Sequence, residues 1–144
     1  MTKMPLFVHA EHTIKSPNEQ LLILKGAGVD FAKTIIGHCS DSDDVEYIEN
    51  IVKGGCFIGF YRVNCLESQV STFIKLIERG FENKLLLSCD SCINSDFSPL
   101  EIGRRMDSNP YIKLLDGFCC KLKEQRINEK TIQNILINNP QKLW

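Results

Sequence analysis

Five polar or aromatic side chains stand directly after four short apolar runs of the chain. His9 follows the first run and His38 follows the second. Tyr61 and Arg62 follow the third, and Asp90 follows the fourth. Two imidazoles and a carboxylate at one site suit a divalent metal such as zinc, which lowers the pKa of bound water. The pattern predicts a metal-dependent hydrolase site, with hydrogen-bonded boundary histidines as the alternative.

The apolar runs that precede these residues have the character of strands covered on both faces. Strands are predicted near residues 5–9, 34–38, 56–61 and 84–89. Between them lie segments with helical spacing of apolar residues. One such helix, starting near Asp43 or Asp44, can be capped by the acidic, Ser-rich turn after His38. A last amphipathic helix is predicted from Asn128, ending before Pro140. Alternating strands and helices predict a parallel α/β sheet, whose ligands bind at the carboxyl ends of the strands.

Length and composition narrow the class of protein. The chain has 144 residues, 43% of them hydrophobic and 24% charged, and a formal net charge of -1. We expect one domain over residues 1–144 and no binding to nucleic acid. The longest apolar runs are far shorter than the roughly 20 residues that cross a bilayer, so no membrane partner is expected. Met1 to Pro5 lacks the features of a secretory signal, so a cytoplasmic location is the default expectation.

The chain contains seven cysteines, and their odd number together with the missing secretory signal favours reduced thiols. Cys89 and Cys92 have the spacing of half a zinc site or of a redox pair. A second half of a zinc site could come only from the adjacent Cys119 and Cys120. Thiols buried in the core are the simpler interpretation. His12 has no strand-end position and is expected to be a loop residue.

Several motifs of the chain resemble the phosphotriesterase family of the amidohydrolase superfamily, including its phosphotriesterase-like lactonases. Their order and spacing agree with the family over nearly the whole chain. They are His9-Ala10-Glu11, Glu19-Gln20, Gly28-Val29-Asp30, Ile36-Gly37-His38, Asp43-Asp44, Tyr47-Ile48, Gly55-Cys56-Phe57-Ile58-Gly59, Ile77-Glu78-Arg79-Gly80, Leu87-Ser88-Cys89-Asp90 and Asn139-Pro140.

The resemblance implies a (β/α)8 TIM barrel with a two-metal centre, usually zinc, that activates a bridging hydroxide against phosphotriesters or lactones. His9 and His38 fall on the two histidines that follow strands five and six and bind the more exposed metal. Asp90 falls on the aspartate after strand eight, which binds the buried metal and shuttles the proton. Arg62 matches an arginine that lines the substrate pocket of the lactonase-like members. Tyr61, which precedes it, is predicted to bind substrate as well.

The chain also departs from the family's pattern. It starts at what would be strand five, so we expect the C-terminal half of the barrel. The family's His-x-His motif on strand one and its carboxylated lysine on strand four have no counterpart. Cys89 stands where the family typically has histidine, and Tyr61 stands where it typically has aspartate.

Four parallel strands would expose two edges and the inward-facing side chains of the missing half. We therefore expect a homo-oligomer or a complementing N-terminal half as partner. The main functional hypothesis is a zinc-dependent hydrolase of phosphotriester or lactone bonds that is weak or inactive alone. The alternatives are a non-catalytic oligomerising remnant or interaction module, in which His9 and His38 are relics, and a redox role for Cys89 and Cys92.

Overall fold

Four strands form one parallel sheet whose spatial order is the order of the chain. The computed structural model describes residues 4–61, 63, 66–90 and 113–144. The strands are β1 (Leu6–Val8), β2 (Thr34–Ile36), β3 (Phe57–Phe60) and β4 (Leu85–Leu87). Each strand lies within its predicted range, and the predicted α/β class with parallel strands is confirmed.

Helices return the chain between consecutive strands. They are α1 (Pro17–Gly26), α2 (Val45–Lys53) and α3 (Glu67–Glu78), with short 3-10 helices at Phe31–Lys33, Cys39–Asp41 and Glu82–Lys84. The cap of α2 is Asp44, whose carboxylate accepts a hydrogen bond from the backbone N–H of Tyr47 at 3.0 Å. No helix among the described residues is long and apolar enough to span a membrane.

The C-terminal region is helical but irregular. A π-helical segment (Lys113–Phe118) leads into α4 (Cys119–Glu124), and α5 (Glu129–Gln133) continues through a second π-helical segment (Asn134–Asn138) into α6 (Asn139–Gln141). The prediction that the last helix ends before Pro140 is therefore wrong. Pro140 lies within α6, and the flanking residues Asn138 and Lys142 both keep helical backbone angles.

The main core lies between the sheet and its helices. Phe60 on β3, Phe73 on α3 and Phe118 are fully buried and meet edge to face. On the opposite face of the sheet, Leu143 packs against Phe57 and Leu86 in a smaller apolar cluster. That face is the inner face of the expected barrel. In the described sheet, β1 and β4 each pair with one strand only, so both edges are open.

The described cysteines are free thiols. None of the five described cysteines forms a disulfide, and Cys39, Cys56 and Cys119 are buried. Burial raises the pKa of the Cys39 thiol. Cys92, the second member of the proposed redox or zinc pair, lies outside the described residues.

Buried thiol and phenol groups predict a loss of stability at alkaline pH. Burial raises the pKa of Cys56 to about 11 and that of Tyr61 to about 12. Between the unfolded and folded pKa values the folded chain holds more protons than the unfolded chain, so the free energy of unfolding falls as pH rises. Urea titrations should show this decline from about pH 8.5, the ordinary thiol pKa, upward. C56A should make the free energy of unfolding fall less steeply with pH. A free energy of unfolding that is independent of pH would contradict the prediction.

Candidate active site at the carboxyl ends of the strands

Two histidines stand side by side at the carboxyl ends of β1 and β2. The ring centroids of His9 and His38 are 4.3 Å apart, with the ring planes tilted by 58°. The ladder between the strands ends where the Gly37 N–H donates to the Val8 carbonyl at 2.9 Å. His9 therefore follows β1 directly, and His38 follows β2 after Gly37. His38 is buried and His9 is exposed. The structure thus brings together the two imidazoles that the sequence placed at neighbouring strand ends.

His38 adopts an unusual backbone conformation. Its φ of 60° and ψ of 20° lie in the left-handed region, which is uncommon for a residue other than glycine. The chain then enters the 3-10 helix Cys39–Asp41, and the Asp41 N–H donates to the His38 carbonyl at 2.9 Å. This sharp turn begins at His38, with only Gly37 between it and the end of β2. It leaves the His38 ring beside His9 instead of continuing the strand.

Tyr61 and Asp90 lie at the same end of the sheet. The Tyr61 ring meets the His38 ring edge-on with centroids 5.9 Å apart, and it stacks on Phe7 at 5.4 Å. Both Tyr61 and Asp90 line an open cavity of about 380 Å³ on the inner face. The pKa of Tyr61 is raised to about 12, chiefly by burial and further by Cys39 and the Asp90 charge. The phenol is therefore neutral at physiological pH.

Not every predicted site residue joins the histidine pair. Among the described residues, no three His, Cys, Asp or Glu side chains lie close enough together to hold a metal ion. The ligand role of Asp90 therefore stays a prediction, as does its catalytic role. Arg62 lies outside the described residues, so its substrate-binding role also stays a prediction.

The Tyr61 ring lies against the backbone of the inner face. A Cβ added at Gly59 would stand 2.4 Å from Tyr61 Cζ, and one added at Gly37 would stand 2.6 Å from Phe7 Cζ. Tyr61 and Phe7 can cover the ends of β2 and β3 only because glycine occupies these two positions. The Tyr61 carbonyl also accepts a hydrogen bond from the Ser40 hydroxyl.

We expect the Gly59→Ala substitution to displace the Tyr61 ring and not to unfold the chain, because the clashing atoms are the far end of a side chain that can rotate. Loss of burial should move the pKa of Tyr61 from about 12 toward the ordinary tyrosine value of about 10. Ultraviolet titration of the tyrosinates measures this shift, with Y61F identifying the Tyr61 signal. An unchanged titration would contradict the close packing of Tyr61 on Gly59.

His12 is the site feature that sequence reasoning missed. It lies in the loop after β1, as expected, yet it is only 4% exposed. Its Nε2 is 2.8 Å from the Gly37 carbonyl oxygen, and its Nδ1 is 3.1 Å from the Tyr47 hydroxyl. In the sequence, only the spacing of His9 and His12 around the end of one strand could have indicated that His12 belongs to the site. It did not reveal the burial, which depends on the partners from β2 and α2.

Comparison with known proteins identifies the family of the chain. The sequence model of the phosphotriesterase family matches residues 1–144. The chain belongs to the phosphotriesterase family. A phosphotriesterase homology protein of Mycobacterium tuberculosis is 27% identical to this phosphotriesterase-family chain. The match covers 99% of the chain and 46% of the M. tuberculosis protein. An aryldialkylphosphatase of Saccharolobus solfataricus is 29% identical over 99% of the chain, which covers 48% of it.

Solved structures of the phosphotriesterase family have the same fold. The structure of the phosphotriesterase from M. tuberculosis matches with a TM-score of 0.87 and 27% identity, covering 96% of this chain and 45% of that one. The chain also has the same fold as a mutant of a PTE-like lactonase from Deinococcus radiodurans. The TM-score is 0.81 and the sequence identity is 23%. The chain spans about half the length of these relatives. The predicted family, a family of hydrolases, and the predicted half of a TIM barrel are confirmed.

Proposed function

We propose that this chain supplies one half of the active site of a metal-dependent hydrolase that cleaves phosphotriester or lactone bonds. A complementing N-terminal half of the barrel would supply the rest. The observation that carries the proposal is the pair of imidazoles at neighbouring strand ends, with ring centroids 4.3 Å apart. Membership of the phosphotriesterase family supports the hydrolase class.

The donor set suits part of a zinc site. Zinc in proteins takes imidazole nitrogen and carboxylate oxygen, usually with four ligands in total. His9 and His38 would hold the ion, and Asp90 at the same end of the sheet is the expected carboxylate. The described residues contain no group of three such ligands, so further ligands would come from the complementing half. When bound, zinc polarises the substrate and activates water.

Other residues of the chain would bind substrate and move the proton. The Asp90 carboxylate would accept the proton of the attacking water. The Tyr61 phenol, held neutral by its raised pKa of about 12, would donate a hydrogen bond to a phosphoryl or lactone oxygen. Arg62 would add a positive charge to the same pocket. Phe7 and Trp144 line the open cavity and provide apolar walls for the substrate.

Metal and activity measurements on the purified chain test this function. Alone, the chain should hold less than one zinc per chain and show little hydrolysis of aryl phosphotriesters or lactones, because a site with ligands missing binds weakly and orients poorly. An added N-terminal half of the M. tuberculosis relative should raise both quantities. The same mixture made with an H9A/H38A chain is the control. Two zinc ions per chain with robust turnover in the chain alone would contradict the proposal.

A second candidate function is an oligomerising interaction module of the same fold. The open inner face favours it, because Phe7 on the edge strand β1 is 48% exposed and Trp144, which lines the same cavity, is 82% exposed. In that case light scattering would show a stable homo-oligomer without zinc, and H9A/H38A would leave its assembly and thermal stability unchanged. Loss of a zinc-dependent thermal stabilisation in H9A/H38A would instead favour the hydrolase.

A further inference from the structure

The buried imidazole of His12 ties three parts of the fold together. It projects from the loop after β1 and reaches the Gly37 carbonyl at the end of β2, with Nε2 at 2.8 Å. On its other side, Nδ1 lies 3.1 Å from the hydroxyl of Tyr47 in the first turn of α2. Its 4% exposure leaves little contact with water. The large majority of buried side-chain polar atoms have a hydrogen-bond partner, and both nitrogens of this ring have one.

These partners determine where the proton of the ring resides. A backbone carbonyl can only accept, so Nε2 carries the hydrogen and donates it to Gly37. In the neutral ring, Nδ1 then accepts from the Tyr47 hydroxyl. With both nitrogens engaged inside the fold, His12 itself is not a metal ligand in this arrangement.

The Gly37 carbonyl belongs to the peptide that leads into His38. The peptide before it is fixed because the Gly37 N–H donates to the Val8 carbonyl at 2.9 Å. Downstream, the His38 carbonyl accepts from the Asp41 N–H at 2.9 Å. His12 holds the carbonyl between these two bonds. It therefore supports the left-handed conformation at His38, with φ of 60°, which local sequence alone does not favour.

We propose that His12 is a positioning residue for the metal site. By donating from Nε2 to the Gly37 carbonyl, it holds the His38 ring against His9 in the arrangement that binds a divalent cation. This inference rests on the proposed function, since it assumes that the His9 and His38 pair is the metal site. Partners outside the ligand shell typically change metal affinity by about 10- to 100-fold when removed.

Two substitutions of similar size separate the hydrogen bond from simple space filling. H12Q keeps an N–H donor at a comparable reach along the side chain, whereas H12L fills space without a donor. With zinc as the probe, in competition with a chromophoric chelator, we expect H12L to weaken binding by about 10- to 100-fold. H12Q should restore most of the affinity, and Y47F, which keeps the bond to Gly37, should lose less than H12L. Equal zinc affinity of wild type, H12L and H12Q at an established His9–His38 site would overturn the proposal.

Two further measurements keep this inference separate from the proposed function. If the wild-type chain binds no zinc, or if H9A/H38A binds it equally well, the proposed function fails. The positioning role is then decided by amide exchange at Asp41, whose N–H is bonded to the His38 carbonyl. Exchange should be about ten-fold faster in H12L and close to wild type in H12Q. Unchanged exchange in H12L would overturn the role.

The proton position gives a test that needs no variant. Nitrogen-15 spectra of the wild-type imidazoles should show His12 in the Nε2–H form, and an Nδ1–H form would overturn the proposal. This measurement also decides the question if H12L fails to fold.

Discussion

Replacing both His9 and His38 with alanine should weaken zinc binding by more than about 100-fold. Removal of a supporting residue outside the ligand shell already costs about 10- to 100-fold in affinity, and this double substitution removes the ligands themselves. The two rings, 4.3 Å apart, provide the imidazole pair on which the candidate metal site depends. Because His9 is exposed, the single H9A substitution should lower affinity with little effect on the fold.

Metal analysis and chelator competition measure this loss, and C120A serves as the matched control. Cys120 is an exposed thiol, which can bind zinc adventitiously. Zinc binding that survives in C120A and disappears in H9A/H38A assigns the ion to the histidine pair. The opposite result, with binding lost in C120A and retained in H9A/H38A, would assign the zinc to Cys120 and exclude the histidine pair as the metal site.

Truncation of Phe73 should strongly destabilise the aromatic core between β3 and α3. The Phe73 ring meets Phe60 at 4.9 Å and Phe118 at 5.5 Å between ring centroids, and all three side chains are fully buried. We expect Phe73→Ala to reduce the free energy of unfolding by about 3–5 kcal/mol, since it removes a buried ring and leaves a cavity. That is a large part of the 5–15 kcal/mol typical of a folded domain.

Urea denaturation of Phe73→Ala beside Ile23→Ala measures this difference. Ile23 is 71% exposed, so its truncation should change stability by no more than about 0.5 kcal/mol. If Phe73→Ala does not fold, Phe73→Leu should give a smaller and measurable loss. Equal stability of the Phe73 and Ile23 variants would show that α3 does not pack on the sheet through these rings.

The sheet and the histidine pair could be predicted from the sequence because both depend on local patterns. Short apolar runs separated by segments with helical spacing predict parallel strands, and parallel neighbours place their carboxyl ends together. His9 and His38 meet for this reason. The strands are shorter than predicted. In β2, over Thr34–Ile36, the left-handed turn at His38 stops the ladder after Gly37.

Other features depend on partners that are distant in sequence. His12 is buried because Gly37 and Tyr47 provide its hydrogen-bond partners, 25 and 35 residues further along the chain. The Tyr61 ring covers the inner face because glycine stands at 37 and 59. No local pattern around His12 or Tyr61 indicates either contact.

The position of Trp144 gives the inner face its own optical reporter. It is the single tryptophan of the chain, it is 82% exposed, and it lines the same open cavity as Tyr61 and Asp90. Indole emission shifts to shorter wavelength when the ring leaves water. A complementing half-barrel, a second copy or a substrate that fills this face would therefore register in the intrinsic fluorescence of the unlabelled protein.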